Sequence, residues 1–292
     1  MKKKLVALLA AAVFITGSIA GCGTSGNSSA GKSSSAKART VSEIKKSGVI
    51  KIGVFSDKAP FGYVDSKGAY QGYDVYLAKQ IAKDLAVKAE FTSLDPASRV
   101  EYAKTAKVDI VLANFTLTKE RAEQVDFARP YMKVALGVVS PNKAVIKSTE
   151  DLKGKTLIVA KGTTAETYFG KNDTGATIQK YDAYADAYNV LLDGRGDAFS
   201  TDNTEVLAWA RSNKGFTVGI TNLGDTDYIA PAVQKGNISL LSWLNKEIQS
   251  LGKKKFFTKD YNATLKSVYG SSAKAEDIVV EGNVDVSNIK FK

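Results

Sequence analysis

Val108-Asp109-Ile110-Val111-Leu112-Ala113-Asn114-Phe115-Thr116-Leu117-Thr118-Lys119-Glu120-Arg121 is the stretch on which the fold turns. Its first six residues form a near-continuous apolar run, the pattern of a buried strand. Its last eight open a helical segment. In an open α/β sheet, ligands bind at the carboxyl ends of such strands. The residue types there suit a small anion. Arg121 can grip a carboxylate with two parallel charge-assisted hydrogen bonds. Thr116 can offer a hydroxyl and a backbone N–H to the same group. The same residues also fit a plain loop, with Thr118 as a helix N-cap and Arg121 on a solvated face. Taken alone, the stretch leaves both readings open.

Strands and helices alternate on either side of it. Upstream, Val49-Ile50-Lys51-Ile52-Gly53-Val54-Phe55 alternates and is β-branched, a good first strand. The Pro/Gly loop after it carries Lys58, Phe61 and Tyr63; its two aromatics fit ordinary loop packing or the wall of a pocket. The periodicity predicts a helix over 73–85, with Val75, Ala78, Ile81, Ala82 and Leu85 on one face. A short strand follows at 90–92, then a helix at 97–107 with Arg99 near its start. Downstream, 135–140 reads as another strand.

A second run of the same kind begins at Thr149. Strands are expected at 156–160, 176–181 and 196–200, with a helix at 183–192. After the first of these comes Gly162-Thr163-Thr164, where Thr163-x-x-Glu166 fits a capping box. The N–H groups of Thr163 and Thr164 at that helix start also make an anion site. Asp202 has two readings: the N-cap of a second box with Glu205, or a carboxylate turned into a cleft to accept from an ammonium. Residues 227–233 look extended, with Pro231 suiting a crossover. Residues 238–251 form an amphipathic helix, and from Ala273 on the chain has no clear period and is expected to lie on the surface or fray. Alternating strands and helices mean an α/β fold.

The chain start is an address rather than a core element. Lys2-Lys3-Lys4 precedes 11 uninterrupted apolar residues, 5–15. A span needs roughly 20, so this reads as a secretory signal of residues 1–21. Ile19-Ala20-Gly21-Cys22 resembles the lipobox of bacterial lipoproteins, which implies cleavage before Cys22 and its acylation. Residues 22–39 have the Gly/Ser/Ala composition of a flexible tether. About 250 residues remain, enough for a large core in one or two domains.

Composition narrows the function classes. There is no histidine and one cysteine. Ser-His-Asp and Cys-His catalysis and His/Cys zinc sites are excluded in their usual forms. Neither a metal nor any other cofactor is expected. The formal charge is +11, or +8 once Lys2, Lys3 and Lys4 leave with the signal. Apart from Lys253-Lys254-Lys255 the basic residues are scattered, so nucleic acid is not an expected partner.

From 41 to 270 the chain resembles the polar amino-acid-binding receptors of bacterial ABC importers, the solute-binding proteins of family 3. Gly72-Tyr73-Asp74-Val75-Tyr76-Leu77 is similar to the family signature, with Tyr76 in place of its second acid. The segment from Ala113 to Arg121 and Val125-Asp126-Phe127-Ala128-Arg129-Pro130-Tyr131 match the ligand segment. Pro60-Phe61-Gly62-Tyr63-Val64-Asp65, Lys161-Gly162-Thr163-Thr164-Ala165 and Asp202-Asn203-Thr204 look most like the cysteine-binding branch. The resemblance implies a two-lobed periplasmic-binding-protein fold of type II, with two hinge-crossing strands and the ligand between the lobes. Lobe one would be 40–132 with 229–270, lobe two 133–228, and 271–292 an extension.

An α-amino acid presents a carboxylate, an ammonium and a side chain. By the resemblance, Arg121 and the N–H groups of Thr163 and Thr164 share the carboxylate, with Gly162 beside them among the ligand-binding residues. Asp202 with the Asn114, Phe115 and Thr116 region takes the ammonium, and Phe61 and Tyr63 cover the side chain. Lys58 and Arg99 lie nearby; pointing inward they favour aspartate or glutamate, pointing outward a small neutral or sulfur side chain. Partners would be the amino acid, the importer's membrane subunits and, through Cys22, a membrane; the receptor would be a monomer. The rival readings are a dehydratase-like enzyme with Glu166 or Asp202 as general acid, and a surface adhesin.

Overall fold

The computed structural model of the chain describes residues 37–290. The expected signal peptide, lipobox and Cys22 lie outside the described residues, as does most of the tether. The chain enters the fold through a reciprocal capping box between Thr40 and Glu43, which starts α1 (Val41–Ser47). Gly48, left-handed at φ 71°, ends that helix and aims the chain into β1 (Val49–Val54). A small antiparallel sheet of β2 (Asp57–Lys58), β3 (Gly62–Val64) and β4 (Tyr70–Gln71) follows. Then come α2 (Tyr73–Leu85), β5 (Lys88–Ser93), α3 (Arg99–Lys104), β6 (Ile110–Val111), α4 (Lys119–Ala122) and β7 (Val125–Phe127).

The second run opens with the long β8 (Met132–Pro141) and continues through β9 (Thr156–Ala160), α5 (Thr164–Lys171), β10 (Thr177–Tyr181), α6 (Tyr184–Leu192), β11 (Ala198–Asp202) and α7 (Asn203–Ser212). β12 (Phe216–Ile229) leads back to β13 (Ala232–Gln234). The chain ends in α8 (Ile238–Lys253), α9 (Phe256–Thr264), α10 (Lys266–Tyr269) and α11 (Ala275–Ile278).

Two five-stranded sheets result, ordered β5-β1-β6-β13-β7 and β10-β9-β11-β8-β12. In the first, β1 pairs in parallel with β5 and β6, while β13 returns antiparallel. In the second, β9 pairs in parallel with β10 and β11. The two crossings run side by side and antiparallel: Met132 faces Ile229, Lys133 faces Tyr228 and Val134 faces Asp227. Only these two adjacent strands carry the chain from one sheet to the other, so the lobes can rotate about them without unravelling a ladder.

Each lobe has its own core. In lobe one, Ile50, Ile52, Val54 and Ile110 meet the buried faces of α2 and α8. In α8, Leu240, Leu244, Ile248 and Leu251 fall at helical spacing and are all buried. Each such side chain stabilises by about 1.5–3 kcal/mol relative to exposure. In lobe two, Leu136, Val138, Leu157, Val159 and Phe169 form a smaller core. A third cluster joins the lobes, bringing Phe55, Phe115 and Phe127 together with Tyr184 and Phe199.

Several expected elements come out differently. The strand expected over 108–113 is hydrogen-bonded as a strand only at Ile110–Val111, although Leu112 and Ala113 stay buried. The chain peels away to present Asn114 at a left-handed φ of 43°, a conformation asparagine tolerates better than most residues. The helix expected at 97–107 is only Arg99–Lys104. The segment after Ala273 does not fray. Val279 bridges to Met132, the Val280 N–H donates to the Tyr131 carbonyl at 3.0 Å, and Asp285 pairs with Arg129 at 2.6 Å. That tail docks on the first crossing through backbone bonds, the Arg129–Asp285 pair and the buried Ile278 and Val280 side chains, too few apolar positions to set up a period.

Candidate ligand-binding site

The cleft is built where β1 and β6 of lobe one end against β9 and β11 of lobe two. Lobe one contributes three cations. Lys58 sits on β2, held by the pairing of Lys58 with Gly62. Its side chain is 1% exposed. Its Nζ donates to Asn114 Oδ1 at 2.8 Å and to the Tyr184 hydroxyl at 3.0 Å, and lies 2.7 Å from Glu205 Oε2. Asp202 Oδ2 is 3.6 Å away. Burial opposes the ammonium charge, but Glu205, Tyr184 and Asp202 outweigh it and hold Lys58 above the usual lysine range.

Arg99 and Arg121 are handled differently. Arg99 donates to the carbonyls of Pro96, Ala113 and Asn114, and across the cleft to Gly162 O at 3.0 Å. Arg121 donates to Thr116 O at 2.7 Å and to the same Gly162 O at 2.8 Å. Both guanidiniums pack on the Phe115 ring, at 4.7 and 4.9 Å. Neither forms an ion pair with a carboxylate among the described residues. Burial, then the neighbouring Arg99 charge, pull Arg121 down to about 9. A buried guanidinium, Arg99, and a half-buried one, Arg121, on one carbonyl form a strongly positive spot. A bidentate carboxylate is the group that best relieves it.

Lobe two supplies the acids and a close-fitting backbone. Asp202 stands at the N-cap position of α7 but makes no side-chain cap hydrogen bond. Glu205 does not close a box either; its Oε1 accepts from the Tyr188 hydroxyl at 3.1 Å and its Oε2 from Thr201 at 3.2 Å, beside Lys58. The second capping box allowed by the sequence is thus absent, because both carboxylates turn toward lobe one's lysine. Burial pushes Glu205 up to about 7 against the pull of Lys58. The first box forms only by half. Thr163 accepts from the Glu166 N–H at 3.1 Å, but Glu166 accepts from the Gly162 N–H at 2.6 Å rather than from Thr163. The glutamate therefore pins Gly162, whose carbonyl the two arginines share. Gly162 is left-handed at φ 73°, and a Cβ there would come within 2.5 Å of the Ala97 Cα of lobe one. Only glycine lets the lobes meet this closely.

Of the residues singled out in the sequence, Lys58, Arg99, Asn114, Phe115, Thr116, Arg121, Gly162, Thr163 and Asp202 gather at this interface. Thr164 opens α5 beside them. Phe61 is fully buried in lobe one's core with its ring 6.0 Å from Lys58 Nζ. Tyr63 lies on β3 opposite Asp57 and enters none of these side-chain contacts.

Three further participants carry little signal in the sequence. Glu205 has the spacing of a cap partner. Tyr184 fits the helix at 183–192, and its one signal is an aromatic at a strand-to-helix turn. Asp74 lies in the signature Gly72-Tyr73-Asp74 and is fully buried. It accepts from the Asn114 N–H at 2.7 Å and the Tyr131 hydroxyl at 2.6 Å, which fixes the left-handed Asn114 and ties it to the first crossing. Burial pushes Asp74 up to about 7 despite those hydrogen bonds. An acid inside an otherwise apolar helix face was its signal.

Arg121 and Gly162 also border a cavity of about 1000 Å³ walled by Leu117, Tyr168, Leu223, Asp227 and Ile289. It does not reach Lys58 or Asp202. The groove shares Arg121 with the charged cluster and adds the carboxylate of Asp227, whereas Lys58, Glu205 and Asp202 belong to the cluster alone.

The model of bacterial extracellular solute-binding proteins, family 3, matches residues 50–264. The chain belongs to this family. Among solved structures, the solute receptor for L-cysteine of Neisseria gonorrhoeae is 51% identical, with a TM-score of 0.81, covering 83% of this chain and 100% of that one. The cysteine-binding protein from Campylobacter jejuni is also 51% identical, with a TM-score of 0.80, covering 82% and 98%. The ABC transporter glutamine-binding protein of Bacillus subtilis is 30% identical over 254 residues, 85% of this chain and 92% of that protein. As in the family-3 structures, two lobes flank one cleft. No helix among the described residues of this family-3 protein is long and apolar enough to cross a membrane.

Proposed function

We propose that this family-3 protein is the extracytoplasmic receptor of an ABC importer for an α-amino acid, with cysteine the leading ligand and cystine the next. One observation carries the reading. Arg121, from lobe one, and Asp202, from lobe two, bring opposite charges to one cleft in which, among the described residues, Arg121 donates only to carbonyls. A zwitterion answers both. Its carboxylate would go to Arg121 with Thr116 and the α5 N-terminal backbone at Thr163 and Thr164. Its ammonium would go to Asp202 near Asn114. Such a ligand bridges the lobes, so it binds the closed form better than the open one and shifts the population toward closure. The 51% identity to two cysteine receptors supports the ligand assignment.

The remaining parts of the reading follow from the sequence. Residues 1–21 would be a signal peptide, Cys22 the lipid attachment point and 22–39 a tether at the outer face of the cell membrane. Residues 40–132 with 229–270 would form lobe one, 133–228 lobe two and 271–292 an extension. The protein would act as a monomer and without turnover. Glu166, a candidate general acid, is engaged by the Gly162 N–H and Lys180, at 2.6 and 3.0 Å, which argues for scaffolding.

Calorimetry against the full set of amino acids and cystine tests the ligand. The expected result is stoichiometric binding of cysteine, with the ligand recovered intact. Saturation at about 1,000 times the dissociation constant should add roughly 4 kcal/mol of stability. Loss of cysteine on incubation, or no heat with any amino acid, contradicts the reading.

A further inference from the structure

Three cations face the cleft, which on charge alone would recommend a ligand with an acidic side chain. The lysine end of the cluster argues otherwise. An ammonium has three N–H donors. Those of Lys58 have three short partners: Glu205 at 2.7 Å, Asn114 at 2.8 Å and Tyr184 at 3.0 Å. Glu205 is itself 1% exposed and is held by Tyr188 and Thr201. Its carboxylate therefore stands where the carboxylate of an acidic ligand side chain would need to stand to use the lysine. Asp202, 3.6 Å from the same Nζ, adds a second negative charge. Anionic groups brought together in a buried site repel strongly.

We propose that Glu205 is a specificity-determining residue that excludes aspartate and glutamate by acting as the built-in partner of Lys58. The inference rests on the amino-acid receptor reading above and deepens it. Lys58 then serves as a neutralised wall, stacked 4.3 Å over the Tyr184 ring, against which a small uncharged side chain packs. The carboxylate of Glu205 is also the nearest of the lobe-two groups that reach Lys58 in lobe one, so the same pair that refuses acids helps join the lobes.

The test compares L-cysteine and L-aspartate by calorimetry on the wild-type protein, on Glu205→Gln and on Glu205→Gln with Lys58→Met. Wild type should bind aspartate about 100-fold or more weakly than cysteine. Glu205→Gln keeps the shape but frees the lysine charge, and should narrow that gap by about tenfold or more, the order expected for one buried charge pair. Removing Lys58 as well should reopen the gap. A folded Glu205→Gln that binds cysteine with the gap unchanged overturns the assignment of Glu205 and leaves the receptor reading intact. Wild type that binds no amino acid overturns both. A further measurement needs no variant: asparagine should displace cysteine from the wild-type protein about tenfold better than aspartate does. Aspartate displacing it equally well or better also overturns the proposal.

Discussion

The two ends of the cleft treat positive charge in opposite ways. At the lysine end the chain answers its own cation: Lys58 meets Glu205 at 2.7 Å, and both are sealed from solvent. At the arginine end it does not: Arg99 and Arg121 crowd onto the Gly162 carbonyl, and among the described residues only neutral oxygens accept from them. Both ends join the lobes, but their energetics differ. A buried ion pair of good geometry roughly balances its own desolvation. Two guanidiniums sharing a carbonyl do not, and gain most from an arriving anion. The lysine end is thus a finished wall, whereas the arginine end is a receptor for charge.

The sharpest way to break this contrast is Arg121→Ala. It removes the group with most to gain from a ligand, so amino-acid binding should fall by about 1,000-fold or more, on the order of 4 kcal/mol. The melting temperature of the ligand-free protein should change little. Calorimetry showing unchanged affinity would take Arg121 out of the site. Asp202→Asn should come next, with a loss of about 100-fold, because an ammonium is left buried without its counter-charge. If that variant binds normally, Asp202 serves only as a second negative charge beside Lys58.

Gly162→Ala probes closure rather than charge. The added methyl must push into the Ala97 backbone and hold a left-handed φ. That should cost about tenfold in affinity and leave a larger radius in small-angle scattering with ligand present. A variant that closes and binds like wild type would show that the lobes need not approach this closely.

The smallest effect expected is a pH dependence that belongs to the lysine end and its support. Burial pushes Glu205 and Asp74 up to about 7, above their ordinary carboxylate values. Between those ordinary values and about pH 7 the folded protein keeps protons that the unfolded chain has lost. Stability should therefore fall as pH rises through that window and level off above it, by at most about 1.4 kcal/mol per pH unit per group. Lys58 is shifted upward, so its contribution is fully present across this window and is lost only above the ordinary lysine range. Scanning calorimetry of the ligand-free protein should give a lower melting temperature at about pH 8 than at about pH 5.5. A rise would contradict the burial argument for both acids.

Much of this was legible in the chain. Apolar runs marked β9 over its full length and the helical period marked α2, because burial imposes those patterns. Arg121 and Gly162 could be read because their residue types suit anion binding and tight turns. The lysine end was less legible. Asp202-x-x-Glu205 obeys the spacing of a helix cap, and nothing local reveals that a lysine far upstream in sequence will claim both carboxylates. Asp74 hid for the same reason: its partners, Asn114 and Tyr131, are 40 and 57 residues away. The docking of the C-terminal tail rests on a few backbone bonds, one ion pair and two isolated buried side chains, Ile278 and Val280, which set up no period.

The most direct test of the account removes one end of the ligand at a time. Cysteamine keeps the ammonium and thiol of cysteine but lacks the carboxylate; 3-mercaptopropionate keeps the carboxylate and thiol but lacks the ammonium. Calorimetry on the wild-type protein should find both at least about 100-fold weaker than cysteine, since each leaves one buried charge of the cleft unanswered. Either analogue binding as tightly as cysteine would contradict closure on a zwitterion held between Arg121 and Asp202.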